Sequence, residues 1–184
     1  NTDRFTYWPA RAAAGGEFVA PGSPRDPIQC IDARDLARFA LDCIEQKYVG
    51  TYNVTSPPGR FSMGALVSAS ISAAVAFAKP EVDPAPMWMP ADFLASQGVQ
   101  AWSDMPVWLP AEGSQLAFAA TRVDRALQAG LSVRALQSTV DDTLTWHLGR
   151  PDTERASLKT GLARDKEARV LAAWHARTDE PATS

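Results

Sequence analysis

Residues 27–58 read PIQCIDARDLARFALDCIEQKYVGTYNVTSPP, and this stretch decides the fold class. Residues 28–31 are an apolar run with one polar interruption, which predicts a short strand. Asp32 then offers a side-chain acceptor to the free N–H groups of a new helix, and Asp35 puts negative charge in its first turn. Leu36, Phe39, Ala40, Cys43 and Ile44 follow at i, i+3, i+4, i+7 and i+8, the spacing of a single helical face. A helix over 33–46 that buries this face is expected, closed by Lys47 and Gly50. Residues 51–54 are rich in β-formers and run into Ser56-Pro57-Pro58-Gly59, which cannot continue a strand. Strand, amphipathic helix and strand in about 30 residues form one crossover unit of an α/β sheet.

The totals set limits on what such a chain can do. The protein has 184 residues, of which 46% are apolar and 21% charged, ordinary values for a globular domain with a good core. A net charge of -3 with no basic run argues against nucleic acid and anionic membrane as partners. Cys30 lies in the apolar run and Cys43 on the apolar helix face, so both are expected as reduced core cysteines of a cytoplasmic protein. His147 and His175 have no Cys or His at ligand spacing, so no metal site is expected. No run is long and apolar enough to span a membrane, and no signal peptide is visible. Asn1 opens the chain without a Met, as if it were cut from a longer one.

Outward from the central unit, residues 3–14 read as a helix capped by Asp3, with Pro9 forcing a late start or a kink. Residues 17–20 read as a strand. Ser62 caps a second helix with Met63, Leu66, Val67, Ile71, Ala74 and Val75 on its apolar face, stopped by Lys79-Pro80. A strand is expected at 85–89 and a short helix at 90–97. Trp88, Trp102 and Trp108, with Met87, Met89 and Met105, read as a satellite core, as the wall of an apolar pocket, or as both on different faces. Thr121 is expected to cap a helix to Ala129, 131–134 to form a strand, and Ser138 to cap a helix through Leu148. From Asp152 the chain becomes charged and carries a separate amphipathic helix over 164–176, with Val170, Leu171 and Trp174 on one side, expected to dock on the body of the chain or else on a partner. Residues 180–184 are expected to be disordered. The chain thus divides into residues 1–151 and a charged extension, 152–184.

QCIDARDLARFALDCIE followed by GTYNVTSPP resembles the second half of the extended short-chain dehydrogenase/reductases, the NAD-dependent epimerase/dehydratase group. Thr121-Arg122-Val123-Asp124-Arg125-Ala126-Leu127, Gly130-Leu131 and Thr143-Leu144-Thr145-Trp146 match that family's tail in the same order. The resemblance implies an α/β fold: the C-terminal part of a Rossmann-type enzyme, with its last sheet strands and a small mixed α/β substrate lobe. It implies NAD or NADP as cofactor, held mainly by an N-terminal Rossmann half absent from this sequence. No Gly-x-Gly-x-x-Gly turn occurs, and four residues beyond Tyr7, Tyr48 and Tyr52 stand Arg11, Tyr52 and Ser56, so the family's Tyr–Lys pair is missing. No catalytic and no cofactor-binding residue is therefore assigned to this chain, and tight binding of NAD(P) by it alone is not expected. The missing half is the expected partner. An unpaired sheet edge would make the chain associate with a second copy, swap, or require that half.

The same resemblance implies that Tyr7, Trp8 and Trp108 shape the substrate side of a cleft with Gln29 and Asp32 at its floor. The nucleotide-sugar members carry arginines for a diphosphate near positions where this chain has Ile28 and Leu109-Pro110-Ala111. Their loss points to a reductase or dehydrogenase of a small carbonyl or alcohol. The alternatives are a sugar or nucleotide-sugar epimerase/dehydratase, and a non-catalytic binding or regulatory relative. Trp8→Ala is expected to lower kcat/KM without loss of cofactor affinity if Trp8 lines the cleft, and to lower the melting temperature if Trp8 is core.

Overall fold

The computed structural model describes residues 2–115 and 117–178; residues 180–184, expected to be disordered, lie outside the described residues. The chain is a mixed α/β structure with small sheets and several helices. Helix α1 spans Tyr7–Ala13 and leads into strand β1, Glu17–Pro21. Pro9 is the third residue of α1. Its absent N–H is one of the first-turn donors that lack an intrahelical partner anyway, so it starts the helix late and leaves it unkinked. Asp3 is buried at φ 55°, and its carbonyl accepts the Tyr7 N–H at 2.9 Å. It ties the turn before α1, and Thr6 takes the N-cap position in its place.

In the central unit, strand β2 is Pro27–Ile28 and helix α2 is Ala33–Glu45. Asp32 caps α2 through the Arg34 N–H at 2.8 Å. The expected strands at 28–31 and 51–54 are not formed as such. Ile28 is buried and pairs antiparallel with Phe61 of strand β3, Phe61–Ser62, but 29–31 and 51–54 have no ladder partner. Residues 51–54 are instead tied down by side chains. Arg125 donates to the carbonyls of Val49 and Thr51 at 3.2 Å each, and Asn53 Nδ2 donates to the Arg122 carbonyl at 3.1 Å. β propensity alone does not make a strand; a neighbour must supply the ladder.

The α2 face is likewise only partly covered. Phe39 is buried and Cys43 half-buried, whereas Leu36 is 44% and Ile44 73% exposed and Ala40 is also exposed. The reason is that α2 stands apart from the main core. Phe39 packs with Ala126 and Leu131 in a small separate cluster, and among the described residues Leu36 and Ile44 stay exposed.

Helix α3, Met63–Ala73, is capped by the Ser62 hydroxyl accepting from Ala65 N at 3.2 Å, and it continues as a π-helical turn over Ala74–Ala78. Lys79 in the left-handed region stops it. Met63, Leu66, Val67 and Ala74 of the expected face are buried, while Val75 is exposed. Strand β4, Ala85–Met89, pairs parallel with β1 from Glu17↔Ala85 to Pro21↔Met89. Short helix α4, Ala91–Ser96, follows. Trp108, Met89 and Met105 are core; Trp88, Met87 and Trp102 are half-buried.

Helix α5 is Asp124–Gln128, preceded by Val123, so Thr121 is not its cap. The Thr121 N–H is taken by Gln29 Oε1 at 2.8 Å. Residues 131–134 are not a strand; the Arg134 N–H is taken by Asp35 Oδ2 at 2.9 Å, not by a ladder partner. Helix α6, Leu136–Leu148, begins after Ala135, ahead of Ser138. Short helix α7, Asp152–Arg155, and the long helix α8, Arg164–Thr178, complete the chain. The core lies where α1, α3 and α6 pack together beside the β1–β4 pair. Helix α8 docks on β1, with Val170 buried in that same core and Leu171 and Trp174 packed against it. None of the described helices is long and apolar enough to cross a membrane.

Candidate functional site

A cavity of about 550 Å³ opens between the turn before α1, the start of α2 and one side of α6. Phe5, Trp102, Val107 and Trp146 give it apolar walls, and Gln29, Asp32, Arg34, Thr139 and Arg4 supply its polar groups. Trp102 and Val107 hold φ values of 67° and 69°. A β-branched residue at positive φ is a backbone outlier, and such strain persists only where the surroundings impose it. Here buried Met105, Pro106 and Trp108 impose it, through the Trp102 N–H to Trp108 carbonyl bond at 3.1 Å.

Gln29 and Asp32 do line this cavity, but both are heavily engaged. The Gln29 amide donates to the carbonyls of Ser56 and Thr121 at 2.7 and 2.9 Å while its oxygen accepts from Thr121 N. It works as a clamp between two loops. Asp32 accepts from Arg34 Nε and Nη2 at 2.9 and 2.7 Å and from the Thr139 hydroxyl at 2.8 Å, with Arg134 Nε 3.6 Å away. The Arg34 bonds hold its carboxyl well below the usual carboxylate range, outweighing the opposite pull of burial. Asp32 is thus a permanently ionised latch between α2 and α6, ill-suited to trade a proton near neutral pH.

Because its folded pKa lies below its unfolded value of about 3.9, Asp32 stabilises the fold fully above that value. The contribution is lost as pH falls through the folded pKa. The melting temperature of Asp32→Asn should therefore lie below that of the parent by a constant gap above about pH 5, and the gap should close on acidification toward about pH 2. A gap that stays constant down to that acidity would show that the latch is not electrostatic.

Tyr7, Trp8 and Trp108 do not line the cavity. Trp8 is 1% exposed, and its indole N–H donates to the Pro106 carbonyl at 2.7 Å. The Trp108 indole N–H donates to Asp26 Oδ2 at 2.7 Å. These rings sit behind the wall, and their sequence neighbours Phe5, Thr6 and Val107 form it. Aromatic character in the right segments was visible in the sequence; which ring of each segment faces the cavity depends on turn geometry.

Sequence reasoning passed over Trp146, gave Trp102 only as part of a possible pocket wall, and in the opening segment chose Tyr7 and Trp8 rather than Arg4. Among the described residues the Arg4 guanidinium makes no ion pair and no hydrogen bond, its Nε is buried without a partner, and it lies 5.6 Å from the Trp102 ring centre. No motif marks it; its signal is a charge without an ion-pair partner among the described residues, which only coordinates reveal.

A dinucleotide does not fit the glycine turn that leaves β1. A Cβ at Gly22 would meet Asp26 Oδ2 at 2.0 Å and Trp108 Nε1 at 3.0 Å, so the space over the glycine is filled, and by a carboxylate where a pyrophosphate needs donors. No protein family, no curated protein and no solved structure matches this chain at significant similarity.

Proposed function

We propose that this chain is the substrate-side part of an NAD(P)-dependent oxidoreductase of the extended short-chain dehydrogenase/reductase type, acting on a small carbonyl or alcohol. The observation that carries the reading is the aromatic-walled cavity with Arg4 as its one lining cation lacking an acidic partner among the described residues. Phe5, Trp102 and Trp146 would take the apolar body of the substrate out of water. Arg4 would hold its oxygen with charge-assisted donors. Hydride and proton transfer would belong to the other half of the enzyme, since this sequence carries neither the Gly-x-Gly-x-x-Gly turn nor the Tyr–Lys pair. The exposed Leu36, Leu41, Ile44 and Val49 around α2 support the same reading, as the apolar surface such a half would cover.

Tryptophan fluorescence of the chain, titrated with a panel of small ketones, aldehydes and the corresponding alcohols, tests this. A saturable change with at least one of them is expected, weakened about tenfold in Arg4→Gln, the equivalent of one charge-assisted hydrogen bond. No saturable response across the panel, or an unchanged affinity in Arg4→Gln, would sink the assignment. Calorimetry of the chain alone with NAD and NADP should show no micromolar binding.

A further inference from the structure

Of the charged side chains on the wall of the aromatic cavity, all but one are answered from within the protein. Arg4, Asp32, Arg34 and Asp142 are the charged residues that line it. Arg34 donates to Asp32 through Nε and Nη2 and to Asp142 through Nη1, so one guanidinium holds both acids. Burial pushes the Cys30 thiol of the same wall up to about 11, and it adds no negative charge. Asp3, next to Arg4 in the chain, turns to the Arg150 guanidinium and the Lys159 N–H. A second cavity, between α1, the C-terminal end of α6 and residues 155–164, differs in this respect. Its lining arginines, Arg11, Arg155 and Arg164, all have acidic partners.

Arg4 is left with neither ion pair nor hydrogen bond among the described residues. Of its nitrogens only Nε is enclosed, so the two terminal nitrogens meet open space, and the space that Arg4 lines is this cavity. The guanidinium lies 5.6 Å from the Trp102 ring centre. Such a contact steadies a cation without neutralising it.

Thr6 supplies a second unspent donor two residues on. It is 5% exposed and stands at the N-cap of α1, where a threonine hydroxyl normally accepts from the first helical N–H groups. Here the backbone of Thr6 is already helical, at φ -60° and ψ -29°, instead of extended, and its hydroxyl caps nothing. Among the described residues that hydroxyl has no hydrogen-bond partner, yet it is not one of the enclosed atoms. Thr6 lines the cavity, and the little surface it keeps opens there. Polar groups in so buried a place are normally paired. An unspent hydroxyl and an unspent guanidinium on one turn, beside apolar walls, point to a ligand that brings negative oxygen atoms to them.

We propose that the molecule bound in this cavity carries a carboxylate: an apolar oxo acid or hydroxy acid, held at its carboxylate by Arg4 and Thr6, with Phe5, Trp102 and Trp146 around its body. This names the substrate class of the oxidoreductase reading and rests on that reading. A carboxylate accepts from a guanidinium and a hydroxyl at once, and the charge makes both bonds stronger than those to a neutral ketone oxygen.

Calorimetric titration of the chain with benzoylformate, its methyl ester and acetophenone tests this. Benzoylformate is expected to bind about tenfold or more tightly than the ester, the equivalent of one charge-assisted hydrogen bond. In Arg4→Gln the gap between acid and ester should close, and in Thr6→Val, which keeps the shape and removes the hydroxyl, it should narrow. Neither group has a partner in the protein, so neither variant should melt below the parent. Equal binding of acid and ester, or a gap that survives Arg4→Gln, would overturn the carboxylate assignment and leave the carbonyl reading standing. So would a melting temperature that falls in both variants, since Arg4 and Thr6 would then be serving the fold. Binding of none of the three compounds would overturn the assignment and the reading together.

Discussion

Trp8→Ala is expected to destabilise the protein by about 3–5 kcal/mol, the range for removing a large aromatic side chain from a core. The ring is among the largest fully buried side chains and meets Tyr7 edge-on at 5.0 Å. Its indole N–H satisfies the Pro106 carbonyl, which the truncation would leave bare as well as opening a cavity. For a chain of this size that corresponds to a fall in melting temperature of roughly 6–20 °C. Trp8→Phe keeps most of the volume and loses the hydrogen bond, so it should cost less, about 1–3 kcal/mol. Urea unfolding of the two variants measures both. If Trp8→Ala melts like the parent yet loses the fluorescence response to small carbonyls, Trp8 reaches the first cavity and the packing account fails.

Glu167→Ala is expected to cost a similar amount, about 3–5 kcal/mol, for an electrostatic reason. Arg11 and Glu167 are 5% and 3% exposed at their side chains, with Arg11 Nε 3.0 and 2.7 Å from the two carboxylate oxygens. Glu167 Oε1 also accepts the Val19 N–H of β1 at 3.3 Å. Burial pushes the Arg11 guanidinium down and Glu167 pulls it back up. Removing the carboxylate leaves a buried cation with no counter-ion and breaks the Glu167 ties of α8 to Arg11 of α1 and to the Val19 N–H of β1. Replacing both partners with apolar residues of similar size, Arg11→Met with Glu167→Leu, should restore part of the loss, because neither charge is then buried alone. Chemical denaturation of the single and double variants decides it. A double variant no more stable than Glu167→Ala would show that the pair contributes more than compensation for its own burial.

The two variants share a cause that explains what could and could not be read in advance. Asp32 as the cap of α2, Ser62 as the cap of α3 and the run of α8 were legible, because each depends on residues within a turn or two of one another; the β1 and β4 segments were named too, and became strands because each found the other. The strands expected at 51–54 and 131–134 were not, because a strand needs a partner and local sequence does not say whether one arrives. In their place the chain uses side-chain ties from Arg125, Asn53 and Asp35. The periodicity of α2 correctly marked an apolar face but not what covers it. Phe39 finds Ala126 and Leu131, and Leu36 and Ile44 find nothing among the described residues.

The candidate sites divide the same way. Gln29 and Asp32 were named through the family resemblance, and they do reach the first cavity. That Tyr7, Trp8 and Trp108 turn inward while Phe5, Val107 and Trp102 turn toward the cavity follows from backbone geometry, including two positive-φ residues that no propensity predicts. Arg11 and Glu167 stand 156 positions apart, as do the walls of the second cavity, drawn from both ends of the chain. By itself the sequence determined the main helices, the caps Asp32 and Ser62 and the segments that carry aromatic and charged groups, since those are set by short-range sterics and hydrogen bonding. Tertiary structure alone decided which charges are paired, which polar atoms are left without partners and which rings face a cavity, because each of these depends on distances between residues the chain order keeps far apart.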